Sequence, residues 1–169
     1  MLKVSVIIPT YNRADMLGDA LDSVLKQTYT NWEVIVVDDG STDDTQSVMT
    51  RYTDPRIHYV YQANKGLPGA RNTGIRHAQG EYLALLDSDD VFLPHRLERQ
   101  LALAEADPAI GVVAGGCIET DTHLRPIREV QYWHTNPNLD LPDLLMICPF
   151  CPSAVLIRRD WFDRAGGFD

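Results

Sequence analysis

Short apolar runs alternate along this chain with segments of helical periodicity, and that alternation limits the folds that the chain can adopt. Strands are predicted at residues 4–8, 32–37, 57–61, 82–86 and 110–115, and helices at 14–27, 43–52, 66–78 and 94–105. Strands that are apolar throughout and alternate with helices are typical of a parallel sheet covered on both faces. We therefore predict an α/β fold, a Rossmann-like α/β/α sandwich around a mostly parallel sheet.

Two small residues are expected to end elements of this pattern. Pro9 follows the first strand and should stop it, because proline cannot continue a central ladder. Gly80 lies just past the third helix and is expected to act as its C-terminal cap.

The pattern loosens after residue 116. Residues 118–133 mix charged residues with β-formers, which predicts either a hairpin or extended strands. A short helix is predicted at 141–147, a last strand at 154–157, and a helix from Asp160 to about Ala165, closed by Gly166 and Gly167. With no repeat, low-complexity tract or linker, we expect residues 1–169 to form a single domain.

Charge and cysteine content exclude several classes of function. The net charge of −9 argues against a nucleic-acid surface, which needs clustered Lys and Arg. The first apolar run is too short for a signal peptide, and no run approaches the ~20 residues of a membrane span. The odd number of cysteines fits a reducing compartment, so a cytoplasmic location is predicted. Cys148 and Cys151 are interpreted as structural thiols in a loop before a strand.

Polar residues gather where the predicted strands end. Residues 9–12, 38–41 and 87–90 follow three of the strands, and ligands of open α/β sheets bind outside the carboxyl ends of strands. Asp87, Asp89 and Asp90 end a buried strand and offer the oxygen ligands that Mg²⁺ prefers. The alternative is a solvated acidic turn that caps the helix starting near Pro94.

The usual phosphate-binding fingerprints are missing from this sequence. It has no Gly-x-Gly-x-x-Gly after the first strand, no P-loop, and no glycine-rich loop of the nucleotidyltransferase type. Phosphates would therefore need a metal on the acids and a cation such as Arg71. Tyr11 could stack on a base and Asp39 could accept a hydrogen bond from a ring N–H. Alternatively, Tyr11 is a packing residue, Arg71 a helix-surface cation, and Asp38 the cap of a turn.

Four motifs in this order resemble those of family 2 glycosyltransferases of the GT-A fold. They lie at residues 4–12, 36–43, 69–74 and 85–90, and residues 158–169 resemble the segment that leads into the acceptor half of that family. The resemblance implies a GT-A-type fold, a nucleotide-sugar donor, commonly a uridine diphosphate sugar, and a divalent metal, usually Mg²⁺ or Mn²⁺. Family members build polysaccharides, glycolipids and glycoproteins, so the sugar and the acceptor stay open.

The resemblance also implies roles for individual residues. The nucleoside pocket would be lined by Pro9, Thr10 and Tyr11, and Asp39 would meet the pyrimidine with Asp38 beside it. Arg71 would approach the base or the diphosphate, and the ribose would be approached by Asp87 and Ser88. Asp89 would bind the metal, with Asp87 as a second candidate ligand.

In inverting members of the family, an acidic residue beyond the Gly-Gly-Phe-Asp segment deprotonates the acceptor hydroxyl. We therefore expect the catalytic base and the acceptor site beyond Asp169. The chain would then be the donor-binding part of a longer protein, possessing donor and metal sites but little transfer activity, and the longer protein could associate with a membrane. The alternatives are a non-catalytic nucleotide-sugar binding module and a nucleotidyltransferase.

Overall fold

The computed structural model describes residues 3–131 and 150–168, and a six-stranded sheet is its main element. The strands are β1 (Val4–Thr10), β2 (Trp32–Asp38), β3 (Ile57–Tyr61), β4 (Tyr82–Leu85), β5 (Val112–Ala114), β6 (Cys117–Thr120), β7 (Pro126–Val130) and β8 (Val155–Arg158). The helices are α1 (Leu17–Leu25), α2 (Thr45–Met49), α3 (Gly66–His77), α4 (Arg96–Ala106) and α5 (Arg159–Ala165), with a 3₁₀ turn at Pro152–Ala154.

The sheet has the order β3-β2-β1-β4-β8-β5, and its first four members are parallel to one another. The late strand β8 runs antiparallel to both β4 and β5 and lies between them. Strand β5 therefore lies at the edge of the sheet, because β8, some 40 residues later in the sequence, lies between it and β4. The predicted α/β fold around a mostly parallel sheet is confirmed.

Apolar side chains pack on both faces of the sheet. Val6 and Ile8 of β1 belong to one buried cluster together with Leu21 of α1 and Leu97 of α4. Ile7 points to the other face, where it belongs to a cluster with residues of α3. Because successive strand side chains point to opposite faces, a strand buried on both faces must be largely apolar. This explains the apolar run of β1, in which the buried Ser5 donates a hydrogen bond to Glu33.

The expected end of the first strand at Pro9 is wrong, because β1 continues through Pro9 to Thr10. Backbone groups of a strand point alternately to the two neighbouring strands. The carbonyl of Ile7 accepts a bond from Leu86 on the β4 side, and that of Thr10 accepts one from Asp39 on the β2 side. Pro9 therefore faces the β4 side, beyond the last β1–β4 pair at Ile7, and its missing N–H interrupts no ladder bond.

The predicted helices are shorter in the structure, and the loosely patterned region forms a hairpin. The first helix begins three residues later than predicted, at Leu17, and the fourth begins at Arg96. Strands β6 and β7 pair as an antiparallel hairpin, so of the two predicted alternatives for this region the hairpin is confirmed. The helix predicted at 141–147 lies outside the described residues, as does Cys148. Within 3–131 and 150–168, the helices lack the length and apolar character needed to cross a bilayer.

Gly80 does not cap α3, contrary to the sequence prediction. The helix ends at His77 and the next residue, Ala78, is extended, while Gly80 is not among the described glycines with positive φ. A Cβ on Gly80 would lie 2.6 Å from the backbone nitrogen of Ser5, whose Oγ accepts a hydrogen bond from the Gly80 N–H. Glycine is needed here because the chain passes against the backbone of β1.

Gly74 allows α3 to approach β1 closely, and its replacement tests this contact. A Cβ there would lie 2.5 Å from Cγ2 of Ile7 and 3.2 Å from Cγ2 of Val37. We predict that Gly74→Ala lowers the free energy of unfolding by about 1–3 kcal/mol, measured by urea denaturation, although alanine favours helix.

Gly18→Ala is the matched control, because its nearest neighbour would be the Tyr52 hydroxyl at 3.4 Å. Alanine should stabilise α1 by up to about 1 kcal/mol there. Equal stability of the parent and Gly74→Ala would contradict a tight α3–β1 contact.

Candidate functional site

The loops after β1 and β2 are tied together at the carboxyl edge of the sheet. The N–H of Asn12 donates to Oγ of Ser41 at 2.9 Å, and the N–H of Thr42 donates to Oδ1 of Asn12 at 2.8 Å. A third bond runs from the Ala14 N–H to Oδ2 of Asp43 at 3.0 Å. Asn12 has φ of 50°, a left-handed conformation that asparagine tolerates better than most residues. The two loops therefore form one platform.

The loop after β3 closes onto the same platform. Gly40 has φ of +83°, and a Cβ there would lie 3.0 Å from the backbone nitrogen of Asn64. Oδ1 of Asp39 accepts hydrogen bonds from Nε2 of Gln62 at 2.6 Å and from the N–H of Lys65 at 2.9 Å. Among the described residues, these bonds leave Oδ2 of Asp39 without a donor. The carboxylate is thus held in place by one oxygen and can accept a bond with the other.

Asp38 is buried and both of its oxygens bind the protein. Oδ1 accepts a bond from the Ser41 N–H at 2.8 Å, and Oδ2 accepts one from the Tyr59 hydroxyl at 2.6 Å. Burial, followed by the bond to Asp38, raises the pKa of Tyr59, so the phenol keeps its proton. The turn-capping alternative for Asp38 is confirmed by the Ser41 bond, whereas its predicted contact with a nucleotide stays a prediction.

Pro9, Thr10 and Tyr11 lie where β1 leaves the sheet. Thr10 is buried, and its Oγ1 has no hydrogen-bond partner among the described residues. Tyr11 is 50% exposed, so half of its surface is accessible, and both its predicted stacking role and the alternative of a packing residue stay predictions. Its ring has free surface on which a flat ligand could stack.

Arg71 is a buried cation, not the surface cation that the sequence left open. Only 9% of the residue is exposed, and its Nη2 donates to Oδ1 of Asp87 at 2.7 Å. Its Nε is buried without a partner in the described part of the chain. Burying a charge is costly unless it is paired, so the Asp87 contact holds Arg71 at the end of β4.

The four polar residues after β4 have different surroundings. Ser88 is buried, whereas the side chain of Asp89 is 47% exposed and lies 3.7 Å from Nη2 of Arg13. Burial, followed by the charges of Asp89 and Asp87, raises the pKa of Asp90. None of these carboxylates caps α4, whose N-cap is His95 with no side-chain cap. The alternative of an acidic helix cap is therefore wrong.

Residues 87–90 after β4 form the acidic corner of the site. Their carboxylates could bind a metal that arrives together with a ligand. Within residues 3–131 and 150–168, no three acidic, histidine or cysteine side chains are grouped closely enough to form a ready-made metal site. Mg²⁺ in nucleotide sites often takes only one or two carboxylates, with phosphates and waters filling its other positions. Asp89 is exposed and only loosely paired with Arg13, and Asp87 uses one oxygen for Arg71. These residues could supply such a partial ligand set.

Sequence reasoning missed the residues that support this corner from the last part of the chain. Oγ of Ser153 accepts a bond from the Asp87 N–H at 2.9 Å, and Sγ of Cys151 lies 3.8 Å from Oδ2 of Asp90. Burial, followed by the charge of Asp90, raises the pKa of the Cys151 thiol to about 11, so it stays protonated. The prediction of a structural thiol before a strand is consistent with this geometry. Only the antiparallel insertion of β8 brings these residues here, and no local pattern signals it.

A comparison with protein families matches residues 5–166 to "Glycosyl transferase family 2". The chain belongs to this family. The resemblance carried by the four motifs is therefore confirmed, and three of those motifs, around Asn12, Asp39 and Asp87, are the strand ends that form the site.

Relatives of this family include proteins with a stated donor. An Escherichia coli protein named UDP-Glc:alpha-D-GlcNAc-diphosphoundecaprenol beta-1,3-glucosyltransferase WfgD is 43% identical over 101 residues, which are 59% of this chain and 40% of that protein. The crystal structure of S. aureus TarS with UDP-GlcNAc has a TM-score of 0.79 and 26% identity, covering 96% of this chain and 47% of that one. The Pyrobaculum calidifontis mannosyltransferase with GDP-Man and Mn²⁺ has a TM-score of 0.75 and 28% identity, covering 99% and 47%.

The chain therefore has the GT-A fold of these solved structures and spans about half of their length. The matched segments make up 15% to 40% of the first curated relatives.

The buried Asp38–Tyr59 contact should stabilise the platform. We predict that Asp38→Asn lowers the free energy of unfolding by about 1–3 kcal/mol, because an amide cannot accept from both the Ser41 N–H and the Tyr59 hydroxyl. Tyr59→Phe should cost a similar amount by leaving Oδ2 unpaired. Guanidinium denaturation measures both.

Combining the two changes separates the contact from other effects. The double variant should lose less stability than the sum of the single variants, because each removes the same hydrogen bond. Strictly additive losses would contradict the direct contact.

Proposed function

We propose that this chain is the donor-binding part of an inverting, metal-assisted glycosyltransferase that takes its sugar from a nucleoside diphosphate sugar, preferably a uridine diphosphate sugar. One observation carries the proposal. At the carboxyl ends of the adjacent strands β2, β1 and β4, the structure holds a carboxylate with an unused oxygen (Asp39), a buried cation (Arg71) and an exposed carboxylate (Asp89). This set matches the base and the diphosphate of such a donor and the metal that would accompany the diphosphate.

The nucleoside is assigned to the platform formed by the loops after β1 and β2. Oδ2 of Asp39 can accept a bond from the N3–H of uracil, while its other oxygen is fixed by Gln62 and Lys65. Tyr11 offers an exposed ring for stacking, and Pro9 and Thr10 supply the wall beneath it. Because the accepting oxygen is already oriented, little ordering is needed when the base binds.

The diphosphate is assigned to the corner between Arg71 and Asp89. A divalent metal bound here would act as a Lewis acid that offsets charge on the diphosphate leaving group. Asp89 would hold it, with the free oxygen of Asp87 as a second ligand. Arg71, fixed by Asp87, places a permanent positive charge beside the ribose and diphosphate, and Ser88 lies at the same turn.

The acceptor side separates this proposal from its alternative. A non-catalytic nucleotide-sugar binding module would use the same donor geometry, and only a general base distinguishes an enzyme from it. We keep the base and the acceptor site as predictions for residues beyond Asp169. Substituting an acidic residue there should abolish transfer and preserve donor binding in an enzyme. Family membership does not support the nucleotidyltransferase alternative.

The cellular setting of the reaction belongs to the same proposal. A cytoplasmic location, with membrane association of a longer protein, would suit a donor made in the cytoplasm and a lipid-linked acceptor. The Escherichia coli relative is named for a diphosphoundecaprenol acceptor. We propose polysaccharide biosynthesis as the process, with the acceptor itself undefined.

Metal dependence of donor binding tests the role of Asp89. We predict that Mn²⁺ tightens the binding of uridine diphosphate at least ~10-fold in calorimetric titrations, and that Asp89→Ala removes most of this gain, because the metal loses its protein ligand. The Kd without metal should change little.

Asp160→Ala is the matched control for this experiment. Asp160 also forms a loose ion pair, 3.5 Å from Arg158, but it lies at the opposite edge of the sheet. It should keep the full metal effect. Equal binding with and without Mn²⁺ in the parent would contradict the metal assignment.

Base selectivity tests the role of Asp39. In Asp39→Asn, the amide oxygen would replace Oδ1, which binds Gln62 and Lys65, and its NH₂ would face the base. We predict that uridine diphosphate binding weakens ~10- to 100-fold, because N3–H of uracil loses its acceptor. Cytidine diphosphate, whose N3 accepts, should lose less or gain.

The exposed Asp44, in the same loop, provides the control. Asp44→Asn should preserve the selectivity of the parent in the same titrations. An unchanged ratio of the two dissociation constants in Asp39→Asn would remove Asp39 from the base pocket.

A further inference from the structure

We infer that Asn72 is a positioning residue of the donor site, because it clamps the backbone of Phe168 and so holds the Phe168 ring over Arg71. Asn72 follows Arg71 on α3, whereas Phe168 lies after α5, almost 100 residues away. The inference rests on the proposed function for the meaning of Arg71, but the clamp itself can be measured without any ligand.

The clamp consists of two hydrogen bonds between one side chain and one backbone residue. Nδ2 of Asn72 donates to the Phe168 carbonyl at 2.7 Å, and the Phe168 N–H donates to Oδ1 of Asn72 at 3.0 Å. A side-chain amide can satisfy a backbone N–H and C=O together in this way, as a neighbouring strand would. Neither alanine nor leucine could replace it.

Two consecutive glycines make this approach possible. Gly166 ends α5 in the left-handed conformation, with φ of 93°. Gly167 has φ of +104°, and a Cβ there would lie 3.2 Å from Oδ1 of Asn72. The glycine pair of the motif at the end of the chain thus turns the backbone and clears room for the Asn72 amide.

The clamp brings an aromatic ring to the site cation. The guanidinium carbon of Arg71 lies 5.7 Å from the centroid of the Phe168 ring, within the range of a cation–π contact. The ring is also 5.4 Å from that of Phe162, inclined at 49°, and packs with the α3 face of the core. Phe168 therefore contacts Phe162 of the core as well as Arg71 of the site.

Arg71 needs such a second contact to keep one orientation. In the described part of the chain, a single hydrogen bond to Asp87 holds its guanidinium, and its Nε is buried without a partner. That bond fixes only one nitrogen of the guanidinium. The ring of Phe168 limits how the rest of the group can tilt, so Arg71 meets the donor already oriented.

The test combines side-chain NMR of Arg71 with donor titration. The Nε–Hε signal of Arg71, assigned with Arg71→Lys, should shift or broaden in Asn72→Ala and in Phe168→Leu. Binding of uridine diphosphate should weaken about 3- to 30-fold in each. The double variant Asn72→Ala/Phe168→Leu should bind uridine diphosphate at least as tightly as the single variant that binds it less tightly, because both changes act through one contact. Phe168→Tyr, which keeps the ring, should retain the parent signal and affinity.

Two further variants complete the design. Arg76→Ala is the matched control, because Arg76 lies one turn further on α3 and bonds to Thr73 instead; it should leave both measurements unchanged. If Asn72→Ala does not fold, Asn72→Asp decides, since it keeps the acceptor for the Phe168 N–H and loses the donor. It should then give an intermediate shift.

The outcomes separate the clamp from the proposed function. An unchanged Arg71 signal in the Asn72 variants, or additive losses in the double variant, would overturn the inference. Loss of stability with a parent-like Arg71 signal would do the same, because it would show a structural role alone. A parent that does not bind uridine diphosphate, with an Arg71 signal that still responds to Asn72, would refute the proposed function and support the clamp.

Discussion

Burial of β1 on both faces and both edges is the constraint on which the rest of the structure depends. It pairs with β2 along its whole length and with β4 as far as Ile7, and every residue in it is buried. A strand in this position can carry few side chains that interact with a ligand. The polar groups must therefore follow the strand ends, where three parallel strands release their loops on the same edge. The location of the site is thus a consequence of how the core is built.

Adjacent residues at this edge have divided structural and binding roles. Both carboxylate oxygens of Asp38 accept hydrogen bonds within the protein, from Ser41 and Tyr59. In Asp39, among the described residues, only one oxygen does so, and the other can accept a bond from a ligand. Successive strand residues point to opposite sides, so the same backbone can present one acid to the platform and the next to the loop after β3. Two neighbouring carboxylates can both be required while only one of them reaches a ligand.

The sequence predicted the layers and the strand-end clusters, because apolar runs and polar strand ends are local patterns. It failed where a long-range contact decided the outcome. β1 continues through Pro9 because β4 has already ended there. Glycine is required at position 80 because its backbone passes against Ser5. The insertion of β8 and the burial of Arg71 likewise depend on partners far along the chain. Hydrophobic period carries no information about such partners.

The acidic corner combines a permanent positive charge, that of Arg71, with an exposed carboxylate, that of Asp89. Arg71 belongs to the protein, is buried and is fixed by Asp87, so its charge is present whether or not a ligand is bound. Asp89 is exposed and only loosely paired with Arg13, so little attraction is lost when a stronger cation replaces that partner. A corner built in this way keeps one positive charge permanently in place and makes the second depend on a metal. The diphosphate of a donor would supply the remaining ligands of that metal, which would couple metal binding to donor binding.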